Sequence, residues 1–352
     1  MESKILWIGE QKDPVIKNRE KDFVMDSVFN YYKDISPSLN YRTENLFLDN
    51  GAFTARMQGI DLDRNRVVAV QESFNPVYAI PLDFPFSPGD SVSHMKDLWF
   101  KTRENILYWQ DCTTLRGRLV PSVHSWSKKS LYDNLEWMQK NVDSDMIALG
   151  SIVSSDFSDF TGFFGDRQPR KELIDMFSLA ISGVRRLTDF KVHLLGTGSS
   201  PLTLHLTYYL GADSTDSSGY RRKAAYGNVI FPGTGEYYCG YGIASFGGKS
   251  NNNRGPAQVK ALQSSCDCPI CRSEPERLFN DWTARAIHNE YVMKMEAQNA
   301  QILLSIGEDE YEKYIDGIFS MNPDGTKKVS SLKYLWEYAK LKKRMYQISE
   351  II

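Results

Sequence analysis

Short apolar runs that end in acidic or glycine residues alternate with amphipathic, helix-like stretches through the first two thirds of the chain. The apolar runs predicted to be strands are 46–48, 77–82, 117–120, 146–149, 192–195 and 210–212. Helix-like segments such as 130–141 and 170–187 lie between them. Alternating strands and helices are typical of parallel βα units. Six or more units favour a (β/α)8 TIM barrel over a short doubly wound sheet, so we predict an α/β fold of that architecture.

The pattern changes after residue 225. Residues 226–246 are rich in glycine, tyrosine and β-branched residues and predict small antiparallel hairpins, and the polar segment 247–255 predicts an exposed loop. Helical patterns follow at 275–306 and 331–348. We therefore predict a barrel over 1–225, hairpins and a late subdomain over 226–300, and C-terminal helices over 301–352.

Composition narrows the class of protein. With 41% hydrophobic and 24% charged residues, the 352-residue chain has the composition of a soluble globular protein. No apolar stretch reaches the roughly 18 residues of a membrane span, and the N-terminus lacks a secretory signal, so we expect a cytoplasmic protein without membrane contact. The net charge of −2 gives no general attraction for nucleic acid, which leaves local basic patches to supply it.

Three of the five cysteines crowd into the segment Cys266-Asp-Cys268-Pro-Ile-Cys271, and His288 follows on a predicted helix. Cysteines at such short spacing indicate metal ligation rather than disulfides in a cytosolic chain. Zinc prefers thiolate and imidazole ligands in a closed tetrahedron. We predict one structural Zn²⁺ on these four residues. The alternative for His288 is a packed or surface side chain.

The cysteine cluster resembles the signature of the tRNA-guanine transglycosylase family, a CxCxxC segment and a histidine inserted late in a (β/α)8 barrel. Further segments resemble the family in the same order along the chain. LDNGAF (48–53) is similar to Asp-Ser-Gly-Gly-Phe/Tyr-Gln, PLD (81–83) to the strand end with the base-reading aspartate, ALGSIV (148–153) to the Gly-Gly-Leu-Ala loop, HLLGTG (193–198) to Tyr-Leu-Met-Gly-Val-Gly, and GADSTDS (211–217) to Gly-Val-Asp-Met-Phe-Asp-Cys/Ser.

Several positions depart from the family pattern. Asn50 and Ala52 replace a serine and a glycine, Thr54 replaces a glutamine, and Pro121-Ser122 stands where a glutamine-glycine pair reads the base. We also find no segment resembling the RNA-binding domain of archaeal members. With these departures, the chain best resembles the branch of the superfamily that inserts 7-deazaguanine derivatives into the DNA of bacteriophages and some bacteria. The location expected for a phage-encoded chain is the host cytoplasm.

The resemblance implies a base exchange that retains configuration at the sugar. Asp216 is then the carboxylate nucleophile that captures C1′, and Asp49 is the general acid/base for the departing and incoming bases. The alternative for Asp213 and Asp216 is capping of the following helix, since aspartate is favoured there. With the resemblance, Asp216 is assigned as nucleophile and Asp213 as a structural residue.

The resemblance also implies a pocket for a free 7-deazaguanine base. Asp83 would accept hydrogen bonds from the base edge, because a carboxylate only accepts. Backbone amides near Gly150 and Ser151 would face the base carbonyl. Phe53 and Leu195 would sandwich the base, or else belong to the barrel core. The whole predicted base site is Asp83, Phe53, Gly150, Ser151, Leu195 and Gly196. The histidines at 124 and 193 are interpreted as satisfied core residues, with contact to the base or sugar as the alternative.

The expected macromolecular partner is DNA, with tRNA as the alternative. Arg221, Arg222 and Lys223 follow the predicted nucleophile and are the candidate phosphate contacts; a solvated surface run is the alternative. A homodimer is left open. Two other classes of protein remain as alternatives: a non-catalytic nucleic-acid-binding subunit, and a zinc-ribbon module. Neither has a chemical reason to keep both Asp49 and Asp216.

Overall fold

The chain is described by a computed structural model over residues 4–10, 14–34, 39–87, 89–152, 171–233, 235–239, 254–320 and 333–349. Ten strands lie in this part of the chain. They are β1 (Ile5–Gly9), β2 (Phe23–Ser27), β3 (Asn45–Asp49), β4 (Tyr78–Ala79), β5 (Ser122–Ser125), β6 (Met146–Ile152), β7 (Lys191–Leu194), β8 (Ser214–Ser217), β9 (Asn228–Phe231) and β10 (Gly235–Tyr238).

The first eight strands form one curled parallel sheet in the order β4-β3-β2-β1-β8-β7-β6-β5. This order confirms the predicted α/β class and the parallel βα units. Pairing of β1 with β8 sets Trp7 beside Asp216 and brings the first strand next to the last. The carboxyl ends of parallel strands share one edge of the sheet, so the acidic residues at those ends lie on the same side of the molecule.

The predicted strands agree with the structure in part. The runs at 46–48, 146–149 and 192–195 coincide with β3, β6 and β7, and 77–82 includes the short β4. Two assignments are wrong: 117–120 precedes β5, and 210–212 precedes β8. Both true strands, SVHS and STDS, are polar, so a search for apolar runs selected their neighbours. Strands β1 and β2 were not predicted.

Thirteen α-helices and one short 3-10 helix (Val28–Asn30) lie in the described residues. The α-helices are α1 (Ala52–Met57), α2 (Arg64–Phe74), α3 (Val92–Cys112), α4 (Lys128–Asn141), α5 (Lys171–Leu187), α6 (Pro201–Tyr209), α7 (Gly219–Ala225), α8 (Arg254–Gln263), α9 (Pro269–Ser273), α10 (Arg277–Asn280), α11 (Trp282–Ile306), α12 (Glu308–Ser320) and α13 (Lys333–Ser349). Serine capping boxes begin α4 and α6, and the Asp281 side chain caps α11. None of these helices combines the length and apolar character needed to cross a membrane.

A compact apolar cluster lines the inner face of the sheet. It contains Trp7, Met25, Phe47, Ile80, Val120, Met146 and Ala148, with Leu195 packed against it. Its members come from both ends of the strand order. Ala79 of β4 also forms an isolated parallel bridge with Leu119, which precedes β5, through backbone hydrogen bonds of 3.0 and 2.9 Å to the two residues that flank Leu119.

The region after the sheet begins with the predicted hairpin, since β9 and β10 pair antiparallel. The helical pattern at 275–306 is confirmed as α10 and α11, and the final pattern as α13. Residues 240–253, which include most of the predicted loop at 247–255, lie outside the described residues; its last two positions begin α8. Helix α11 is fixed to the N-terminal segment by the buried pair of Arg19 and Glu290.

Candidate functional site

Three carboxyl groups gather at the carboxyl ends of β3, β4 and β8. Asp49 is the last residue of β3, Asp83 follows β4, and Asp216 lies in β8. The pKa of Asp49 is raised to about 7, first by burial and then by the negative charge of Asp83, with a smaller contribution from Asp216. The three groups are thus close enough to influence one another, and Asp49 can hold or release a proton near neutral pH.

The turn after β3 holds Asp49 in place. Its Oδ2 accepts hydrogen bonds from the Gly51 backbone N–H at 2.9 Å and from the Ser27 hydroxyl at 3.3 Å. Gly51 has a φ of 78°, and a Cβ there would lie 2.9 Å from atoms of Phe29. Glycine is therefore required at this turn, which delivers an amide to the carboxylate.

Asp83 is held from two sides by buried neighbours. The Asn50 side chain donates to its Oδ1 at 3.0 Å and to the Pro81 carbonyl at 2.7 Å. His124 Nε2 lies 2.9 Å from its Oδ2. Each carboxylate oxygen retains a second lone pair, so Asp83 can still accept hydrogen bonds from a ligand. The side chain is nearly buried, with 7% of the residue exposed.

His124 is a satisfied buried histidine, as expected. Its Nδ1 accepts a hydrogen bond from the Ser151 backbone N–H at 2.9 Å, so its Nε2 carries the proton given to Asp83. This bond corrects one expectation: the Ser151 amide is engaged by His124 and does not face a base carbonyl. A Cβ at Gly150 would lie 2.5 Å from the His124 ring, so glycine is needed there for packing.

Asp216 lies in β8 beside the turn that follows β7. Its Oδ1 accepts a hydrogen bond from the Gly196 backbone N–H at 2.6 Å. Gly196 has a φ of 70°, which favours glycine and aims this amide at the carboxylate. His193 Nε2 lies 3.4 Å from the same oxygen. The Gly196 amide therefore holds the predicted nucleophile in place.

The other predicted base contacts lie around this edge of the sheet. Phe53, in the first turn of α1, is 49% exposed. Leu195 follows β7 and packs partly against the inner apolar cluster.

Asp213, predicted to be structural, is buried at the opposite end of β8, where it binds Arg185 at 2.6 Å and the Val192 amide at 2.7 Å. Neither Asp213 nor Asp216 caps α7, whose N-cap is Ser218.

The predicted phosphate contacts differ in their surroundings. Arg221 pairs with the buried Glu10 at 2.8 Å, and Lys223 pairs with Glu236. Arg222 is exposed on α7. Two of the three cations are therefore neutralised by acids of the same chain, and Arg222 has the most accessible charge of the three.

A compact cluster of possible metal ligands is formed by Cys266, Cys268, Cys271 and His288. Their ligand atoms all lie within 4.8 Å of one another. His288 Nδ1 is 3.8, 3.0 and 3.4 Å from the three sulfur atoms in turn. The Cys271 amide also donates to Cys268 Sγ at 3.2 Å, in the turn that begins α9. These four residues could hold one metal ion.

A backbone carbonyl and an aromatic ring of the β9 strand fix the orientation of His288. His288 Nε2 lies 2.6 Å from the Ile230 carbonyl in β9, and the Phe231 ring packs 4.9 Å from the imidazole. A backbone acceptor on Nε2 fixes the proton there and leaves Nδ1 as the ligand. The hairpin thus sets the position of the fourth ligand, and the expectation that His288 lies with the cysteines is confirmed.

No protein-family model and no curated protein matches this chain.

Sequence reasoning missed two residues that organise the acidic site. Asn50 was noted only as a departure from the family serine, yet its amide joins the ends of β3 and β4 through Asp83. His124 was assigned to the core without its bond to Asp83. The signal available was the polar strand SVHS, since a buried histidine in a parallel strand needs partners for both nitrogens.

Proposed function

We propose that this protein is a transglycosylase that exchanges guanine in DNA for a 7-deazaguanine base, such as 7-cyano-7-deazaguanine. The observation that carries the proposal is the group of three interacting carboxyls at one sheet edge, with the pKa of Asp49 at about 7. Base exchange needs a carboxylate nucleophile beside a group that gives and takes protons at neutral pH. Asp216 and Asp49 fit these two tasks.

The closed (β/α)8 barrel is part of this proposal. It is supported by the bridge between Ala79 of β4 and Leu119, which precedes β5, and by an inner cluster whose side chains come from strands near both edges of the sheet. Layers of inward side chains that fill a sheet closed on itself are characteristic of TIM barrels. Their active sites lie at the carboxyl ends of the strands, where the three acids are found.

The reaction proceeds in two displacements. An oxygen of Asp216 bonds to C1′ while the C1′–N9 bond breaks; the bonding electron pair leaves with guanine, which takes a proton from Asp49. The incoming base then gives its N9 proton to Asp49, and its nitrogen displaces Asp216 from C1′. Two inversions retain the configuration of the sugar. Because the bond lies inside the duplex, the nucleotide is flipped out or taken from a single strand.

Recognition of the base falls to the residues around Asp83. The carboxylate, fixed by Asn50 and His124, accepts from the N–H groups of the base edge. Phe53 lies exposed at the same edge of the sheet and stacks on the base. The exposed Arg222 contacts phosphate.

The metal at Cys266, Cys268, Cys271 and His288 is proposed to be a structural Zn²⁺. The donor set of three sulfurs and one imidazole nitrogen fits zinc, and four protein ligands complete a tetrahedron without an open position. The ion would hold α9 and α11 to the β9–β10 hairpin. The reacting groups lie elsewhere, at the strand ends.

The test supplies labelled 7-cyano-7-deazaguanine with DNA or tRNA and identifies modified nucleosides by mass spectrometry. The wild type should label DNA, Asp216→Asn should abolish labelling, and the surface variant Asp133→Asn should leave it unchanged. Label in tRNA alone would replace DNA with tRNA as the substrate. No label in either nucleic acid would refute the exchange reaction and favour a non-catalytic binding subunit.

A further inference from the structure

We propose that His193 positions the nucleophile, holding Asp216 through an Nε2–H hydrogen bond so that one chosen oxygen attacks the sugar. This inference rests on the proposed function for its catalytic meaning, while the contact itself can be measured without activity. The similar family segment has tyrosine at this position, so the histidine is a feature of this chain.

His193 is fully buried, and only one of its two ring nitrogens has a hydrogen-bond partner among the described residues. It lies in β7 with no exposed surface; its Nδ1 is 2.8 Å from Ser214 Oγ, and its ring packs 5.0 Å from Phe47. Among the described residues, its Nε2 has no hydrogen-bond partner. The nearest acidic atom is Asp216 Oδ1, at 3.4 Å. A buried polar nitrogen without a partner is costly, and a small rotation of either side chain would complete this contact.

The tautomer of His193 follows from its other nitrogen. Ser214 has one hydroxyl proton and two neighbours that can accept it: His193 Nδ1 at 2.8 Å and the thioether of Met146 at 3.7 Å. An imidazole nitrogen is the stronger acceptor, since a thioether sulfur accepts only weakly. Ser214 therefore donates to Nδ1, which places the His193 proton on Nε2, facing Asp216.

This arrangement selects the attacking oxygen of Asp216. The Gly196 amide nitrogen and His193 Nε2 both lie close to Oδ1 of Asp216, at 2.6 and 3.4 Å. The other oxygen, Oδ2, is therefore left to bond with C1′. His193 neither gives nor takes a proton in the reaction. It fixes the rotation of the carboxylate, and the proton for the departing base still comes from Asp49.

Two substitutions of His193 distinguish its contact with Asp216 from its contact with Ser214. His193→Gln places an amide N–H near the former Nε2, so it keeps a donor to Asp216 and loses the partner of Ser214. His193→Asn keeps a polar group near Ser214 and loses the donor to Asp216. If His193 had only a structural role, the two variants would form the covalent adduct at similar rates.

The first measurement mixes each enzyme with a guanine-containing DNA oligonucleotide, without incoming base, and follows the covalent adduct on denaturing gels. His193→Asn should slow adduct formation by about 10²-fold with DNA affinity unchanged, because misplacing a reacting group has effects of that order; measurements are made well below the melting temperature of both variants. His193→Gln should stay close to wild type. An Asn variant as fast as wild type, or a Gln variant as slow as Asn, would overturn the role of His193.

The second measurement detects the contact between His193 and Asp216 and does not depend on enzyme activity. Nitrogen-15 NMR of labelled histidine, with the His193 signal assigned by its loss in His193→Gln, should show a shifted Nε2 resonance in Asp216→Ala and a smaller shift in Asp216→Asn. An unchanged resonance would overturn the inference. If the resonance shifts but the wild type modifies neither DNA nor tRNA, the contact stands and the proposed function fails.

Discussion

Replacement of Asp49 by asparagine should stabilise the protein at alkaline pH and not at acidic pH. Burial and the charges of Asp83 and Asp216 raise the pKa of Asp49 from 3.8 to about 7 in the folded chain. The unfolded chain therefore releases this proton at lower pH than the folded chain. As pH rises from about 4 to about 7, the wild type loses stability, and above pH 7 it carries the full cost of an ionised carboxylate.

The magnitude follows from the size of the rise in pKa. A change from 3.8 to about 7 corresponds to about 4 kcal/mol. Asp49 is only partly buried at its strand end, and water reaching it reduces this cost, so we expect about 2 kcal/mol. Asparagine does not titrate and escapes the cost altogether. The advantage of Asp49→Asn should therefore grow by about 2 kcal/mol between pH 4 and pH 8.

Urea unfolding at a series of pH values measures this difference directly, with zinc present throughout. Asp133→Asn, which removes an exposed carboxyl group on α4, is the matched control and should run parallel to the wild type. The same Asp49→Asn protein should lack exchange activity, which separates the gain in stability from the loss of function. Parallel stability curves for Asp49→Asn and wild type would refute the electrostatic account of the site.

Three other outcomes are expected. Gly150→Ala should lower the melting temperature and activity, because its Cβ would meet the His124 ring at 2.5 Å, whereas Gly317→Ala in α12 meets nothing within 4 Å and should be neutral or stabilising by up to about 1 kcal/mol. Elemental analysis should find one zinc per chain; Cys271→Ser or a chelator should remove it and reduce stability without touching a reacting group. Arg222→Ala should weaken DNA binding for all sequences and reduce the slope of log affinity against log salt by about 1; an unchanged slope would remove Arg222 from the interface.

The sequence by itself determined the features that depend on local spacing. The candidate metal ligands were predicted because three sulfurs in one six-residue turn can converge on one point with little help from the rest of the fold. The helices at 130–141 and 170–187 were found because an amphipathic period persists over several turns. The acids at positions 49, 83 and 216 were selected by resemblance, and the parallel sheet places them at one edge.

Tertiary structure decided which strands line the site and how the acids are held. Strands β5 and β8 are short and polar, because they carry His124 and Asp216 at the site, and no apolar run marks them. The bonds of Asn50 and His124 to Asp83, and the approach of His193 to Asp216, join residues far apart in sequence. Such contacts depend on strand register and on the curl of the sheet, which no local pattern encodes.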